Sequence, residues 1–169
     1  GVVIGHEMTH GFDDMGRQFD KEGNLRDWWT AADAERFQQR AQVMDDFFSN
    51  IEVLPGLKGN GKLTLGENLA DHGGLMVAFQ AFKNATAAAP LADKDGFTPE
   101  QRFYLSYAKV WANNIRDEEI IRRTKEDVHS LGKWRVNGQL IGIDDFHKAF
   151  GIKEGDAMYI PESEWAKIW

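Results

Sequence analysis

The chain of 169 residues contains no cysteine. This absence excludes disulfide cross-links, and it also excludes a thiolate as metal ligand or as nucleophile. Because cysteine usage is the usual evidence for a redox compartment, its absence leaves the compartment open.

An excess of basic residues is also missing, and so are long apolar runs. Lys and Arg number 20 against 27 Asp and Glu, which gives a net charge of -7 and argues against a nucleic-acid-binding protein. No apolar run approaches the length of a membrane span, so we expect no membrane contact from this segment. With 42% hydrophobic and 28% charged residues, the length and composition predict one globular domain over residues 1–169.

Helical spacing of polar and apolar residues predicts a mainly α fold. Thr30 is expected to cap a long helix, and Thr98 with Pro99 and Gln101 has the pattern of a capping box. The glycines and proline of LPGLKGNGKL, residues 54–63, predict a loop. A short turn or hairpin is expected around RVNGQL, residues 135–140, followed by a coiled tail. The helices are expected near residues 1–12, from 30 onward, 64–85, 98–115, 116–127 and 144–150.

The stretch VVIGHEMTHGFDD, from Val2 to Asp14, carries two histidines four residues apart. On an α-helix, His6 and His10 share one face and can bind one metal ion. Glu7 is turned about 100° from His6, beside such an ion, where it can accept a proton from a water molecule. His-Glu-x-x-His is the metalloprotease signature for this reason. The alternative is an ordinary helix with two hydrogen-bonded histidines and a surface acid.

A catalytic zinc ion needs a third protein ligand. The class that continues the motif as His-x-x-Gly-x-x-His is excluded, because Asp13 and Gly16 occupy those two positions. Glu67 and Asp71 lie four residues apart in TLGENLADHGG and share a helix face. Structural alternatives exist for both, since Glu67 fits a capping box with Thr64 and Asp71 could be a solvated acid.

The composition of that helix favours a buried site. One face carries large side chains and a lysine, namely Leu65, Leu69, Met76, Phe79 and Lys83. The opposite face, which includes the two carboxylates, carries Ala70, Gly74, Ala78, Ala81 and Ala85. Small residues in a line let another helix approach closely, and buried carboxylates need a partner charge or a metal ion. We therefore predict a helix buried on two sides.

Three separated motifs together resemble one family of zinc peptidases. GHEMTHGFDD, GENLADHGG and DVHSLGKWR, followed by the terminal Trp169, are similar to the C-terminal catalytic part of the neprilysin and endothelin-converting-enzyme family, which is of the gluzincin type. The resemblance covers essentially the whole chain. It points to bacterial members, since vertebrate members end in Cys-x-x-Trp and this tail reads Ala-Lys-Ile-Trp. The fold it implies is a thermolysin-like helical catalytic subdomain.

The resemblance implies a zinc centre with one Zn²⁺ per chain. His6, His10 and Glu67 would be the metal ligands, and Glu7 would be the general base that activates the metal-bound water. Asp71 would orient His6 by accepting its second N–H. Asp13 would do the same for His10.

The resemblance also implies three roles around the substrate. His129 would stabilise the oxyanion of the tetrahedral intermediate, and Arg135 would hold a substrate carbonyl. Val110 and Trp111 would line a hydrophobic pocket for the residue after the scissile bond. Each has a structural alternative: a surface histidine, a solvated arginine and two core residues. His72 and His147 match no functional position of the family, and we expect neither to have a functional role.

The function implied is that of a zinc-dependent endopeptidase acting on oligopeptides. The alternative is a folded zinc-binding fragment that turns over substrate only with an upstream region. The chain starts at Gly1, almost on the motif, so we expect it to continue covalently into an upstream helical domain. Exposed apolar surface would then allow self-association. Family members suggest an extracytoplasmic or cell-surface location, with the bacterial cytoplasm as the alternative.

Overall fold

Seven α-helices and one short hairpin form the fold in the computed structural model, which describes residues 1–168. The helices are α1 Val2–Thr9, α2 Ala31–Asn50, α3 Leu65–Thr86, α4 Pro99–Trp111, α5 Asp117–Glu126, α6 Gly132–Leu140 and α7 Asp144–Phe150. The antiparallel hairpin consists of β1 Glu52–Leu54 and β2 Leu57–Lys58. Short 3₁₀ turns lie at His10–Phe12, Gly16–Gln18 and Glu162–Glu164. The mainly α prediction is confirmed, whereas Trp169 lies outside the described residues.

Two helix starts follow the capping residues read from the sequence. Thr30 precedes α2, and its hydroxyl accepts a hydrogen bond from the backbone N–H of Asp33. Thr98 precedes α4 and forms the full capping box with Gln101. These side chains satisfy backbone N–H groups that have no partner within the helix. Both predicted starts are confirmed.

The turn or hairpin expected near the C-terminal end is wrong, because residues 132–140 form α6. The Asn137-Gly138 pair suggested a turn, but the neighbouring side chains have helical periodicity. The buried positions at this point are Arg135, Val136, Gln139 and Leu140. Gly138 is needed for contact with α2, since a Cβ atom there would lie 2.9 Å from the Phe48 ring. Burial on two sides outweighs the local turn preference.

The hairpin lies instead at residues 52–58, which overlap the segment 54–63 expected to be a loop. Pro55 and Gly56 form its turn, and Gly56 has a φ of +77°, which glycine adopts without strain. The apolar residues on either side supply two short strands. The loop prediction is therefore wrong for these strand residues.

Helix α3 lies between two apolar clusters and is the longest helix of the described chain. One cluster, shared with α4, α6 and α7, contains Leu75, Phe79, Tyr104, Tyr107, Val136, Leu140, Ile143 and Phe146. The other, shared with α2, contains Phe37, Ala41, Met44, Phe48, Ile51, Leu69 and Ile168. The prediction that this helix is buried on more than one side is confirmed. Across residues 1–168, no helix has both the length and the apolar character required to cross a bilayer.

Stability at acid pH is expected to depend on His72, a buried residue of α3. Burial lowers the pKa of His72 from 6.5 to about 4. The folded state therefore holds a neutral imidazole, and its contribution is full above pH 6.5 and is lost as the pH falls toward 4. A pKa depression of this size corresponds to roughly 3 kcal/mol of unfolding free energy.

The measurement is urea unfolding of the wild type and His72→Gln at neutral pH and near pH 4. Because glutamine does not titrate, the variant should lose less stability than the wild type over this interval. Carboxylates that titrate in the same range are present in both proteins and cancel in the difference. Equal losses in the two proteins would contradict the prediction.

Candidate active site

The site forms where α1 crosses the small-residue face of α3. Two glycines make the crossing possible. A Cβ atom on Gly5 would lie 2.9 Å from the Cα of Gly74, and one on Gly74 would lie 2.6 Å from the backbone nitrogen of His6. Both distances are too short for any larger residue without a shift of backbone. The crossing brings His6 directly beside Asp71, one turn earlier on α3.

The two histidines of the motif point at each other through their Nε2 atoms, which are 3.0 Å apart. A carboxylate holds the opposite nitrogen of each ring. His6 Nδ1 lies 2.8 Å from Asp71, and His10 Nδ1 lies 2.7 Å from Asp13. Asp13 is fixed in turn by the backbone N–H groups of Met15 and Gly16. When each Nδ1 donates its hydrogen to a carboxylate, each neutral ring presents a lone pair at Nε2.

Glu67 completes this cluster from α3. Its oxygens lie 3.2 Å from His6 Nε2 and 3.4 Å from His10 Nε2. Within the described part of the chain, these three residues are the group whose ligand atoms lie within 4.8 Å of one another. Glu67 Oε2 is buried and has no partner with hydrogen-bond geometry. Two facing Nε2 atoms beside a buried carboxylate oxygen that has no hydrogen-bond partner are a donor set for a cation, and nitrogen and oxygen ligands of this kind suit Zn²⁺.

The electrostatics of the cluster favour positive charge. The hydrogen bond to Asp71 and the close contact with the Glu67 carboxylate raise the pKa of His6 to about 9. Burial alone would raise the pKa of Glu67, but the close contact with His6 and the charges of His129 and His10 lower it below its ordinary value. A carboxylate that stays ionised between imidazoles can stabilise a protonated ring, or it can bind a metal ion.

The capping alternative for Glu67 is wrong. No side chain caps the start of α3, and the hydroxyl of Thr64 donates instead to the carbonyl of Asn60. The solvated alternative for Asp71 is also wrong, because this residue is 1% exposed. Both carboxylates therefore face into the protein, toward His6 and His10.

Asp71 also binds Arg135 of α6, a pairing that the sequence did not reveal. Nε and Nη2 of Arg135 donate to the two carboxylate oxygens over 2.7 and 2.8 Å. Arg135 is 7% exposed, so the solvated alternative is wrong. The ring of Trp111 lies 3.8 Å from its guanidinium carbon, and Tyr107 donates to its backbone carbonyl over 2.8 Å. The bonds to Asp71 leave Nη1 of Arg135 for another acceptor.

His129 approaches the cluster from the loop between α5 and α6. Its Nε2 lies 3.2 Å from Glu67 Oε2, and its Nδ1 lies 2.8 Å from Asp127. Asp127 also accepts the backbone N–H of His129 and pairs with Arg123 over 2.8 Å. Sequence reasoning missed Asp127, although its position two residues before His129 is a signal, since aspartate side chains often bind the backbone N–H two residues on.

A cleft of about 780 Å³ opens beside this cluster. Glu7, which is exposed, lines it together with His6, Asp71, His129 and Arg135. Its apolar wall is formed by residues of α3 and α4, namely Ala78, Ala81, Phe82, Phe103, Val110 and Trp111. Val110 is 64% exposed, so the alternative of a core position is wrong for it. The cleft is large enough for a peptide side chain next to the histidines.

Two further histidines are buried outside this cluster. The imidazole of His147 lies 2.8 Å from the carbonyl of Ile141, to which it donates through Nε2. His72 is on α3 and belongs to the buried part of that helix. Neither is among the residues that converge as metal ligands in the described chain.

Comparisons with known proteins identify a family and several relatives. Peptidase family M13 matches residues 1–165 of the sequence. Neprilysin-2 of Caenorhabditis elegans is 39% identical over 173 residues, which cover 100% of this chain and 23% of that protein. Endothelin-converting enzyme 1 of Cavia porcellus is 40% identical over 161 residues, which cover 94% of this chain and 21% of that protein.

A solved structure with a similar fold is that of the zinc metalloprotease ZMP1 of Mycobacterium tuberculosis in complex with an inhibitor. It matches with a TM-score of 0.95 at 36% identity, over 99% of this chain and 26% of that one. The chain thus spans about a quarter of the length of that protein. The neprilysin and endothelin-converting-enzyme resemblance read from the three motifs is confirmed.

Proposed function

Since the chain belongs to peptidase family M13, we propose that it forms the catalytic centre of a zinc-dependent endopeptidase that hydrolyses oligopeptides. The observation that carries this proposal is the pair of Nε2 atoms, 3.0 Å apart, beside a carboxylate oxygen of Glu67 that has no hydrogen-bond partner. Residues 1–169 would act as one catalytic unit, as part of a longer chain.

His6, His10 and Glu67 would hold one Zn²⁺, with Asp71 and Asp13 fixing the two imidazoles from behind. Zinc in such a site polarises a peptide carbonyl and makes a water molecule acidic. The carboxylates behind both histidines are buried, so the two Nε2 atoms are oriented before a metal ion or substrate binds.

Glu7 would move the proton. It lies on the turn of α1 that carries His6, faces the cleft and is outside the group of converging ligand atoms. A carboxylate in this place can accept a proton from water and then donate it to the leaving amine. General acid–base catalysis of this kind contributes about 10²–10⁴-fold to the rate.

His129 and Arg135 would hold the substrate's oxygens. His129 Nε2 is directed toward the Glu67 side of the cluster, where a carbonyl oxygen would gain negative charge during the reaction. Donation from Nε2 requires that both ring nitrogens carry hydrogens, since Nδ1 already donates to Asp127. Arg135 lines the cleft, and its Nη1 would donate to a second carbonyl. Val110 and Trp111 would contact an apolar side chain of the substrate.

A second candidate is a zinc-binding unit that turns over peptide only together with further sequence. The surface of α1 favours it, because Ile4 and Met8 are 68% and 66% exposed on the helix that carries the histidines. An apolar surface of this kind is one that additional chain, or a second copy, would cover. In that case the substrate would lack part of its binding surface here.

The experiment is zinc analysis and a fluorogenic peptide assay on the 169-residue chain and on a longer form that includes the upstream region. We expect one zinc per chain in both forms. Turnover should be about a hundredfold lower in the short form, because a reacting carbonyl misplaced by about 1 Å loses about that factor.

The outcomes separate the two candidates. Equal turnover in the short and long forms would show that the catalytic centre is complete in the 169 residues. If both forms bind zinc and only the long form hydrolyses the peptide, the second candidate is favoured. Failure of the chain to bind one equivalent of zinc would contradict both candidates.

A further inference from the structure

The C-terminal end of α5 lies behind His129 and carries an ion pair for which the proposed mechanism has no use. Arg123 Nε donates to Oδ2 of Asp127 over 2.8 Å. Asp127 follows the last residue of the helix, and its backbone N–H donates to the carbonyl of Arg123 over 2.9 Å. Oδ1 of Asp127 accepts from the backbone N–H and from Nδ1 of His129. The two oxygens of one carboxylate are thus divided between an arginine and a histidine.

We infer that Arg123 is a positioning residue, which holds Oδ2 of Asp127 and thereby fixes the direction in which Oδ1 meets His129. A carboxylate at the C-terminal end of a helix is repelled by the partial negative charge of the last carbonyl groups. Arg123 offsets that repulsion with a positive charge and a directed N–H, four residues earlier on the same face. Without it, the Asp127 side chain could turn toward water and release the imidazole.

The ionisation of Asp127 is consistent with this arrangement. Burial would raise its pKa, but hydrogen bonds from the backbone and ring of His129 and from Arg123 lower it to about 2. The carboxylate therefore remains an acceptor for both partners at neutral pH. The inference rests on the proposed function only because that function makes Nε2 of His129 a donor to the substrate carbonyl oxygen.

The neighbouring residue Arg122 provides a matched control. It has the same charge and lies on the same helix, but it pairs with Glu119 and Glu126 on the outer surface. Its side chain is 53% exposed, against 21% for Arg123. A loss of positive charge from α5 in general would affect both variants, whereas a loss of the Asp127 contact would affect Arg123 variants alone.

The test is NMR of the zinc-loaded 169-residue chain with ¹⁵N-labelled histidine. The Hδ1 signal of His129, assigned with His129→Gln, reports the hydrogen bond to Asp127 through its slow exchange with water. We expect Arg123→Gln to accelerate this exchange by about tenfold, the order of one hydrogen bond. Arg123→Lys should restore most of the protection and Arg122→Gln should leave it unchanged. Asp127→Asn serves as the positive control for loss of the signal.

Kinetics with a fluorogenic peptide, on the chain length that turns it over, provide the second readout. Arg123→Gln should lower kcat by about tenfold while KM changes little, since His129 acts as charge develops. If Arg123→Gln lowers the Tm but leaves Hδ1 exchange and kcat unchanged, the ion pair of Arg123 has only a structural role and the inference is overturned. A wild type that shows no protected Hδ1 signal would overturn it as well. Absence of turnover in all forms counts against the proposed function alone, because the NMR result decides on Arg123 independently.

Discussion

Replacing Glu67 with alanine is expected to abolish stoichiometric zinc binding by the chain. The substitution leaves His6 and His10 as the remaining members of the cluster, and a catalytic zinc site ordinarily needs three protein ligands. It also removes the negative charge that lies between His6, His129 and Arg135. We expect the affinity to fall by more than about a hundredfold, which exceeds the cost of losing a partner of a ligand.

The measurement is a competition titration of zinc against a chromophoric chelator. Asp71→Asn is the informative comparison, because Asp71 contacts the ligand His6 and is not itself a proposed zinc ligand. This substitution should lower the zinc affinity by about 10- to 100-fold. Glu100→Ala, the same kind of change at an exposed residue of α4, should leave the affinity unaltered. Wild-type affinity in Glu67→Ala, with circular dichroism showing an intact fold, would rule out Glu67 as a ligand.

The crossing of α1 and α3 could be predicted from the sequence because its causes are local. The spacing of His6 and His10 determines their shared face, and a row of small residues on α3 marks where another helix can approach. Gly74 belongs to that row, and the structure shows that a larger residue there would collide with α1. Burial of Asp71 then follows from its place on the same face.

The outcome for α6 shows where sequence reasoning fails. Asn137 and Gly138 have a strong local preference for a turn, but Gly138 contacts Phe48, about 90 positions earlier in the chain. No local pattern contains that contact. The spacing of the buried side chains at 135, 136, 139 and 140 is helical. The pattern is short, however, and can be mistaken for part of a hairpin.

The partners of Arg135 and His129 could not be read from the sequence for a related reason. A hydrogen-bonded pair such as Arg135 with Asp71 leaves no periodic pattern, since the two residues lie 64 positions apart. Asp127 is close to His129 in sequence, but its direction depends on how α5 ends. The motifs therefore predict which residues meet at the site, whereas the contacts that orient them require the packed helices.

Replacing Glu7 with glutamine is expected to leave zinc binding intact and to remove most of the hydrolysis. Glutamine has nearly the same size and shape, and Glu7 is not among the converging ligand atoms, so the metal site should not change. Glutamine cannot accept a proton from water at neutral pH, and it cannot donate one to the leaving amine. Loss of a general base and acid should lower kcat by about 10²–10⁴-fold.

Zinc content and the kinetics of a fluorogenic peptide should be measured on the same preparation, in the chain length that turns the peptide over. KM should change little, because the proton transfer contributes in the transition state and not in substrate binding. Glu100→Gln repeats the chemical change on the surface of α4 and should behave like the wild type. Two results would refute the assignment in different ways. Loss of zinc from Glu7→Gln would make Glu7 a ligand, whereas retained zinc with undiminished kcat would mean that another group accepts the proton.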